Sequence, residues 1–277
     1  MTYRLVHLHL TTYGAPTTLA TIDAAVGLAK AFSASLEITS PRLDVKAPSH
    51  FLAGRMLAGL AADLESAAAA KAKALDTHAE ARAGAASVPL AITPVAETWP
   101  QQGEDITVHG RTSDICVLTL PCDKPEQRLN AEAWLFGAGR PCFLIPEPHA
   151  AGYSAATCCI AWDGSKSAAR AIGDALPILR RAQRVIIVTG RNEKPLAQDI
   201  LAPLVAYLQV HGITAEPQEI DVAGENIGDV LLSAVDRNKA DLLIMGAYGH
   251  SRLREFILGG ATRRILDLTR VPLLMSH

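Results

Sequence analysis

The chain is predicted to be an α/β protein of two tandem open parallel five-stranded sheets, each flanked by helices. Three observations lead there. Short apolar runs alternate with stretches of helical spacing along all 277 residues. The runs are apolar without a polar residue at every second place, as in Leu242-Leu243-Ile244-Met245, which marks parallel strands covered on both faces. The order of runs and helices then restarts after a linker-like stretch, residues 147–153, so the pattern occurs twice.

In the first copy, residues 4–10 read as a strand and 17–32 as a helix, with Leu19, Ile22, Ala25, Val26, Leu28 and Ala29 at helical spacing. Residues 35–38 make a second strand and 41–48 a loop that opens on Pro41. Ser49 is the expected N-cap of a long Ala-rich helix that Gly84 ends. Strands follow at 88–95, 114–120 and 141–145, with a weakly signalled helix across 101–112. In the second copy, strands are expected at 156–162, 185–188, 215–220, 242–245 and 272–275. Helices lie between them at 167–179, 197–211 (closed by Gly212) and 227–239, and a last one carries Ile265, Leu266 and Leu268. Strand and helix in strict alternation mean right-handed crossovers and a parallel sheet.

The repeat is visible in the residues themselves. Asp114-Ile115-Cys116 corresponds to Asp241-Leu242-Leu243, and Pro141 to Pro272. Two domains are therefore expected, 1–148 and 149–277, each of ordinary size. The composition is 49% hydrophobic and 19% charged, enough apolar residues for two filled cores. A net charge of −2 gives no basic surface for nucleic acid or an anionic membrane. No apolar run reaches the roughly 18 residues of a membrane span. The first residues, MTYRLVHLHL, lack the order of a signal peptide, so a cytoplasmic protein is expected. Five cysteines without CxxC spacing fit reduced thiols filling the core.

Candidate chemistry concentrates at 241–262. A buried strand stops at Gly246, glycines recur at Gly249, Gly259 and Gly260, and a helix follows. Glycines let the backbone approach an anion, and the N–H groups of a helix start point at it, so this is a phosphate-holding arrangement. A plain turn after the strand is the competing reading. His7 and His9 share one face of a strand, but no further Cys, His or Asp at ligand spacing accompanies them. No nucleophile elbow and no Walker loop is present, and G-x-G-x-x-G is missing after the first strand of either copy. No catalytic residue is assigned, and the chain is expected not to be an enzyme.

The spacing Gly246-x2-Gly249-x9-Gly259, with the closing stretch Val271-Pro272-Leu273-Leu274-Met275, resembles the universal stress protein family. As a resemblance it covers the chain as a tandem two-domain member and is strongest over 156–277. It implies a Rossmann-like fold of the adenine nucleotide α-hydrolase type and an ATP site, with Mg2+, in the second copy. Residue by residue, it implies Asp163 at the adenine and ribose and Val188 lining the adenine. Met245, Gly246, Gly249, Gly259 and Gly260 would stand on the phosphate side. Arg252 can add a charged contact to phosphate. Asp163 equally suits a helix N-cap or Asx turn, and Val188 a plain core position.

ATP-binding members usually carry Ser or Thr directly after the third glycine; this chain has Gly260 there, and its nearest hydroxyl is on Thr262. The first copy has Thr11 at the position of Asp163 and Pro121 after its fourth strand, so 1–148 is expected to be degenerate. The resemblance further implies pairing of the two domains through their fifth strands, with association of two chains left open. The function expected is regulatory, in a stress response. The alternatives are a nucleotide-free interaction or assembly protein of the same fold and, behind it, a slow ATPase.

Overall fold

The computed structural model describes residues 2–46, 54–99, 106–122, 129–149, 152–191, 200–222, 224–247 and 260–277. It divides into two compact units, one built on Tyr3–Thr119 and the other on Leu120–His149 with Ser154–His277. In the first, β1 (Leu5–His9), α1 (Leu19–Phe32), β2 (Ser35–Val45), α2 (Gly54–Ala86), β3 (Leu90–Trp99), a 3-10 turn (Ile106–Gly110) and β4 (Ile115–Pro121) follow in order. The strands stand β3-β2-β1-β4 and every pair is parallel. The α/β fold expected from the buried apolar runs is the fold observed.

Two prolines show why the strands run further than the sequence suggests. Leu36 N–H reaches Pro89 O and Ser35 N–H reaches Arg4 O. Along β2, even-numbered residues therefore aim their backbone groups at β3 and odd-numbered ones at β1. Pro41 is odd, and it falls beyond His9, where the β1 ladder has ended, so its missing N–H costs no bond. Pro94 on β3 points its nitrogen to the open edge by the same alternation. The segment 41–48 is thus not all loop: β2 stays paired to β3 through Val45↔Trp99.

Gly84 does not end α2. The helix runs on to Ala86, and Ser87 takes the left-handed conformation at φ 55°. Ser87 N–H then donates to Gly84 O and Val88 N–H to Ala83 O, the paired bonds of a Schellman ending, with Val88 buried behind them. Ser33 closes α1 and Lys239 closes a later helix in the same way, at φ 52° and 51°. Ser49 lies outside the described residues. Of the helix expected across 101–112, only the 3-10 turn is seen among the described residues.

The second unit contains α3 (Leu129–Gly137), β5 (Cys142–Glu147), β6 (Thr157–Ala161), α4 (Lys166–Leu179), β7 (Arg184–Arg191), α5 (Leu201–Val210), β8 (Ala215–Asp221), α6 (Ile227–Arg237), β9 (Leu242–Gly246), α7 (Gly260–Leu268) and β10 (Leu273–Ser276). Its sheet order is β5-β10-β9-β6-β7-β8. All pairs are parallel except β10 with β5, which is antiparallel with Leu274 opposite Phe143. The two fifth strands do pair. For that reason β5, which the repeat assigns to the first copy, packs in the second compact unit. α3 is absent from the sequence reading: LNAEAWLFG is apolar nearly all round, so no polar face marks its period, and Trp134 and Leu135 are buried.

Left-handed backbone costs an L-residue about 1–2 kcal/mol that glycine does not incur. Lys239→Gly, at an exposed helix end, should therefore stabilise the chain by roughly 1 kcal/mol. Urea denaturation of the two proteins checks this, and an unchanged or lowered midpoint would contradict it.

Candidate functional site

In the second unit β6 lies between β9 and β7. The chain leaves β6 in one direction, through α4 to β7, and leaves β9 in the other, through α7 to β10. The carboxyl ends of β6 and β9 are therefore the topological switch point, where a doubly wound sheet leaves a crevice for a ligand. Trp162 and Asp163 follow β6, while Gly246 ends β9. The sequence-derived residues Asp163 and Gly246 stand on the two sides of this point.

Asp163 is exposed, and its Oδ1 accepts the N–H of Ser165 at 2.9 Å. This is an Asx turn, one of the two readings open from the sequence. The N-cap of α4 is Ser165, whose hydroxyl accepts from Ala168 N–H at 3.2 Å. Gly164 between them has φ +74°, which a residue with a Cβ rarely adopts. The turn thus aims the carboxylate outward at the head of α4.

Gly246 has a packing reason of its own. A Cβ built there would lie 2.3 Å from the backbone nitrogen of Ala168 and 2.5 Å from the carbonyl carbon of Ser167. Only glycine lets the end of β9 touch the first turn of α4. Met245 is buried and pairs with Met275 in the ladder. Val188 is buried, with its carbonyl accepting Trp162 N–H at 2.9 Å, so the plain core reading fits it.

Gly260 begins α7, exposed, with nothing within 4 Å of a Cβ placed on it. Thr262 is buried in the first turn of the same helix. α7 is held against α6 where Gly228 lets Arg264 Cβ approach, and Arg264 Nε meets Asp229 Oδ1 at 2.7 Å. Gly249, Arg252 and Gly259 lie outside the described residues, as do Tyr248 and His250.

Trp162 was given no role from the sequence. Its indole N–H donates to Ile200 O at 2.8 Å, and its carbonyl accepts the Thr189 hydroxyl at 3.1 Å. An indole directly before Asp163, at a strand end, was the available signal. Among the cysteines, burial pushes the Cys158 thiol up strongly. Cys159 rises to about 11 through burial, opposed by Arg184. Neither is a thiolate nucleophile near neutral pH.

In the first unit, His7 and His9 share one face, as two strand residues two apart should. His9 Nε2 meets Glu97 Oε1 at 3.0 Å and His9 Nδ1 meets Thr39 Oγ1 at 2.9 Å, so both ring nitrogens are spent on protein atoms. Among the described residues no group of three His, Cys, Asp or Glu side chains is arranged to hold a metal.

A family model described as the universal stress protein family matches residues 156–277. A universal stress protein of Synechocystis is 26% identical over 149 residues, 52% of this chain. The match spans about half, 50%, of that curated relative's length. Among solved structures, a universal stress protein from Archaeoglobus fulgidus is similar at a TM-score of 0.73 and 13% identity, over 98% of this chain and 95% of its own. A Pseudomonas aeruginosa structure assigned to the same family gives a TM-score of 0.58 at 13% identity, over 99% and 93%. At such identities the likeness to these two structures is one of fold.

Gly246→Ala places a methyl on the backbone of α4, an overpacking whose usual cost is about 1–3 kcal/mol. Chemical denaturation should show a loss near the top of that range, since the neighbour is backbone rather than a flexible side chain. A loss under about 0.5 kcal/mol would mean that α4 yields easily.

Proposed function

Through residues 156–277 the chain belongs to the universal stress protein family, and from that premise we propose that it is a regulatory stress-response protein whose C-terminal half binds an adenine nucleotide. The observation that carries this is the placement of an exposed carboxylate, Asp163, and the glycine end of β9 at the switch point of the second sheet. The N-terminus of α7 adds backbone N–H groups suited to phosphate.

In this reading Asp163 accepts from ribose hydroxyls, and Val188 with Met245 gives an apolar wall. Gly246, Gly249, Gly259 and Gly260 let phosphate approach the backbone. Arg252 adds charge, and Thr262 packs the helix that carries the site. ATP with Mg2+ is the ligand proposed. The metal would ride on the phosphates, since no carboxylate cluster among the described residues offers a separate seat. The N-terminal half, 1–148, is proposed to be degenerate, with Thr11 bonded to Thr17 where the second copy has Asp163. Ligand occupancy would bias an interaction surface by binding two conformations unequally. A cytoplasmic location and further association of two chains belong to the same proposal.

One observation favours the second reading, an interaction protein without nucleotide. Gly260 offers no hydroxyl where ATP binders of the family carry one, and Thr262 is buried. A slow ATPase is weaker, because no base is aimed at the phosphate side among the described residues.

Calorimetric titration with ATP and Mg2+ separates these readings. One site per chain supports the proposal, two would mean an active N-terminal half, and none would favour the interaction protein. Gly260→Ser restores the hydroxyl at a position with open space, and should tighten binding roughly tenfold or more, the worth of one hydrogen bond to a charged group. Asp163→Ala should weaken binding by about tenfold. If neither variant changes the affinity, the site assignment fails.

A further inference from the structure

Helix α5, LAPLVAYLQV, contains no charged residue, and Gln209 is its one amide. A helix resting on a sheet normally turns an apolar stripe inward and a charged face outward, as α6 does with Asp236 and Arg237 exposed. α5 buries only Leu204 and Leu208. Its outward side is apolar as well: Ala202 and Ala206 are exposed, Tyr207 is 42% exposed and Val210 85%. A helix that is apolar all round belongs in an interior, yet one side of this helix is left uncovered by the described residues.

That side borders a groove. Ala202, Val205, Ala206 and Gln209, at spacings of three and four, line one wall of a cavity of about 570 Å3, and Pro217 and Glu219 of β8 line the other. β8 ends the strand order, and Pro217 leaves an added strand one donor short, so the groove is ill suited to strand addition. The small side chains of Ala202 and Ala206 instead permit a second helix to come close.

The charge around the groove has one sign. From Leu201 to Asp236 the sequence holds six acids, Glu216, Glu219, Asp221, Glu225, Asp229 and Asp236, and neither Lys nor Arg. Two of them are answered from outside the stretch, Glu216 by Arg184 and Asp229 by Arg264. Glu219 stands half-buried in the groove wall. An apolar floor edged by carboxylates complements apolar anchors flanked by cations. A second copy seated by two-fold symmetry would present the same acidic patch, with no cation of this stretch to answer it.

We propose that α5 and β8 form a docking groove for a basic amphipathic helix of another protein. The partner's apolar residues, three and four apart, lie along Ala202, Val205 and Ala206, and its Lys or Arg meets Glu219. The ten residues of α5 span about 15 Å, room for about three turns of such a helix. β7 separates β8 from β6, so the groove stands apart from the switch point and docking there needs no nucleotide.

The probes are two synthetic helical peptides of equal length, one with a Leu face flanked by Lys, the other with Glu in place of each Lys. Fluorescence anisotropy of the labelled peptides and amide hydrogen exchange of the full chain read the result. The Lys peptide should bind, more weakly as salt rises, and should protect 201–210 and 215–221. The Glu peptide should do neither. Ala206→Arg, at an exposed helical position, should weaken the Lys peptide by roughly tenfold or more with unchanged thermal melting. Glu219→Lys should reverse the preference, which a merely structural Glu219 could not do. If Glu219→Lys fails to fold, Ala206→Arg and the two peptides decide. A Lys peptide that does not bind, or that protects other segments, overturns the proposal. So do two peptides that bind alike, or an affinity unchanged in Ala206→Arg. Sedimentation showing a dimer of the chain that Ala206→Arg dissolves overturns it too, for a second copy would then be the occupant.

Discussion

Two carboxylates set the register on which everything at the other end of the sheets depends. Asp114 accepts the N–H groups of Arg4 and Leu5 at 2.6 and 2.9 Å while its own N–H donates to Leu5 O. Asp241 does the same for Ala156 and Thr157, at 3.1 and 3.0 Å, and donates to Thr157 O. In a parallel sheet the first N–H groups of a central strand have no partner of their own, and a charged acceptor satisfies two at once. Each aspartate thereby locks the pair β1/β4 or β6/β9 at the amino end. A slip of one residue would turn every side chain of a strand to the opposite face of the sheet and carry Asp163 away from Gly246. The repeat noticed in the sequence at these two positions is a repeat of this clamp.

The same scaffold has been finished in two ways at its carboxyl ends. In the second unit a glycine lets α4 touch the end of β9, an Asx turn lifts a carboxylate out, and the adjoining wall is apolar. In the first unit the corresponding space is filled by side chains that bond one another.

Much of the fold could be read from residue order because parallel strands buried on both faces write themselves as unbroken apolar runs. β4, β6 and β9 stand where those runs stand. The reading failed where a local signal was decided by something distant. Pro41 looked like a strand end, but its nitrogen faces a ladder that has already finished. Gly84 looked like a helix end, yet the Schellman bonds close on Ser87, since the burial of Val88 fixes where the chain must turn. α3 carries almost no polar residue, so nothing marked its face. Of the candidate site, Asp163 and Gly246 were findable from spacing. That Gly246 is also demanded by Ser167 and Ala168 was not, because the two segments are joined only by the packing of α4 on β9.

The antiparallel pairing of β5 with β10 changes how the second unit responds to dilution. A strand pair made between two molecules weakens as they become scarce, by mass action. Here both strands are carried by one chain, and the tether gives each a fixed local concentration of the other. The closed sheet edge therefore persists at any expression level. In the first unit β3 ends the strand order and carries Pro94, and in the second β8 ends it and carries Pro217, so each offers an interrupted ladder to any further strand.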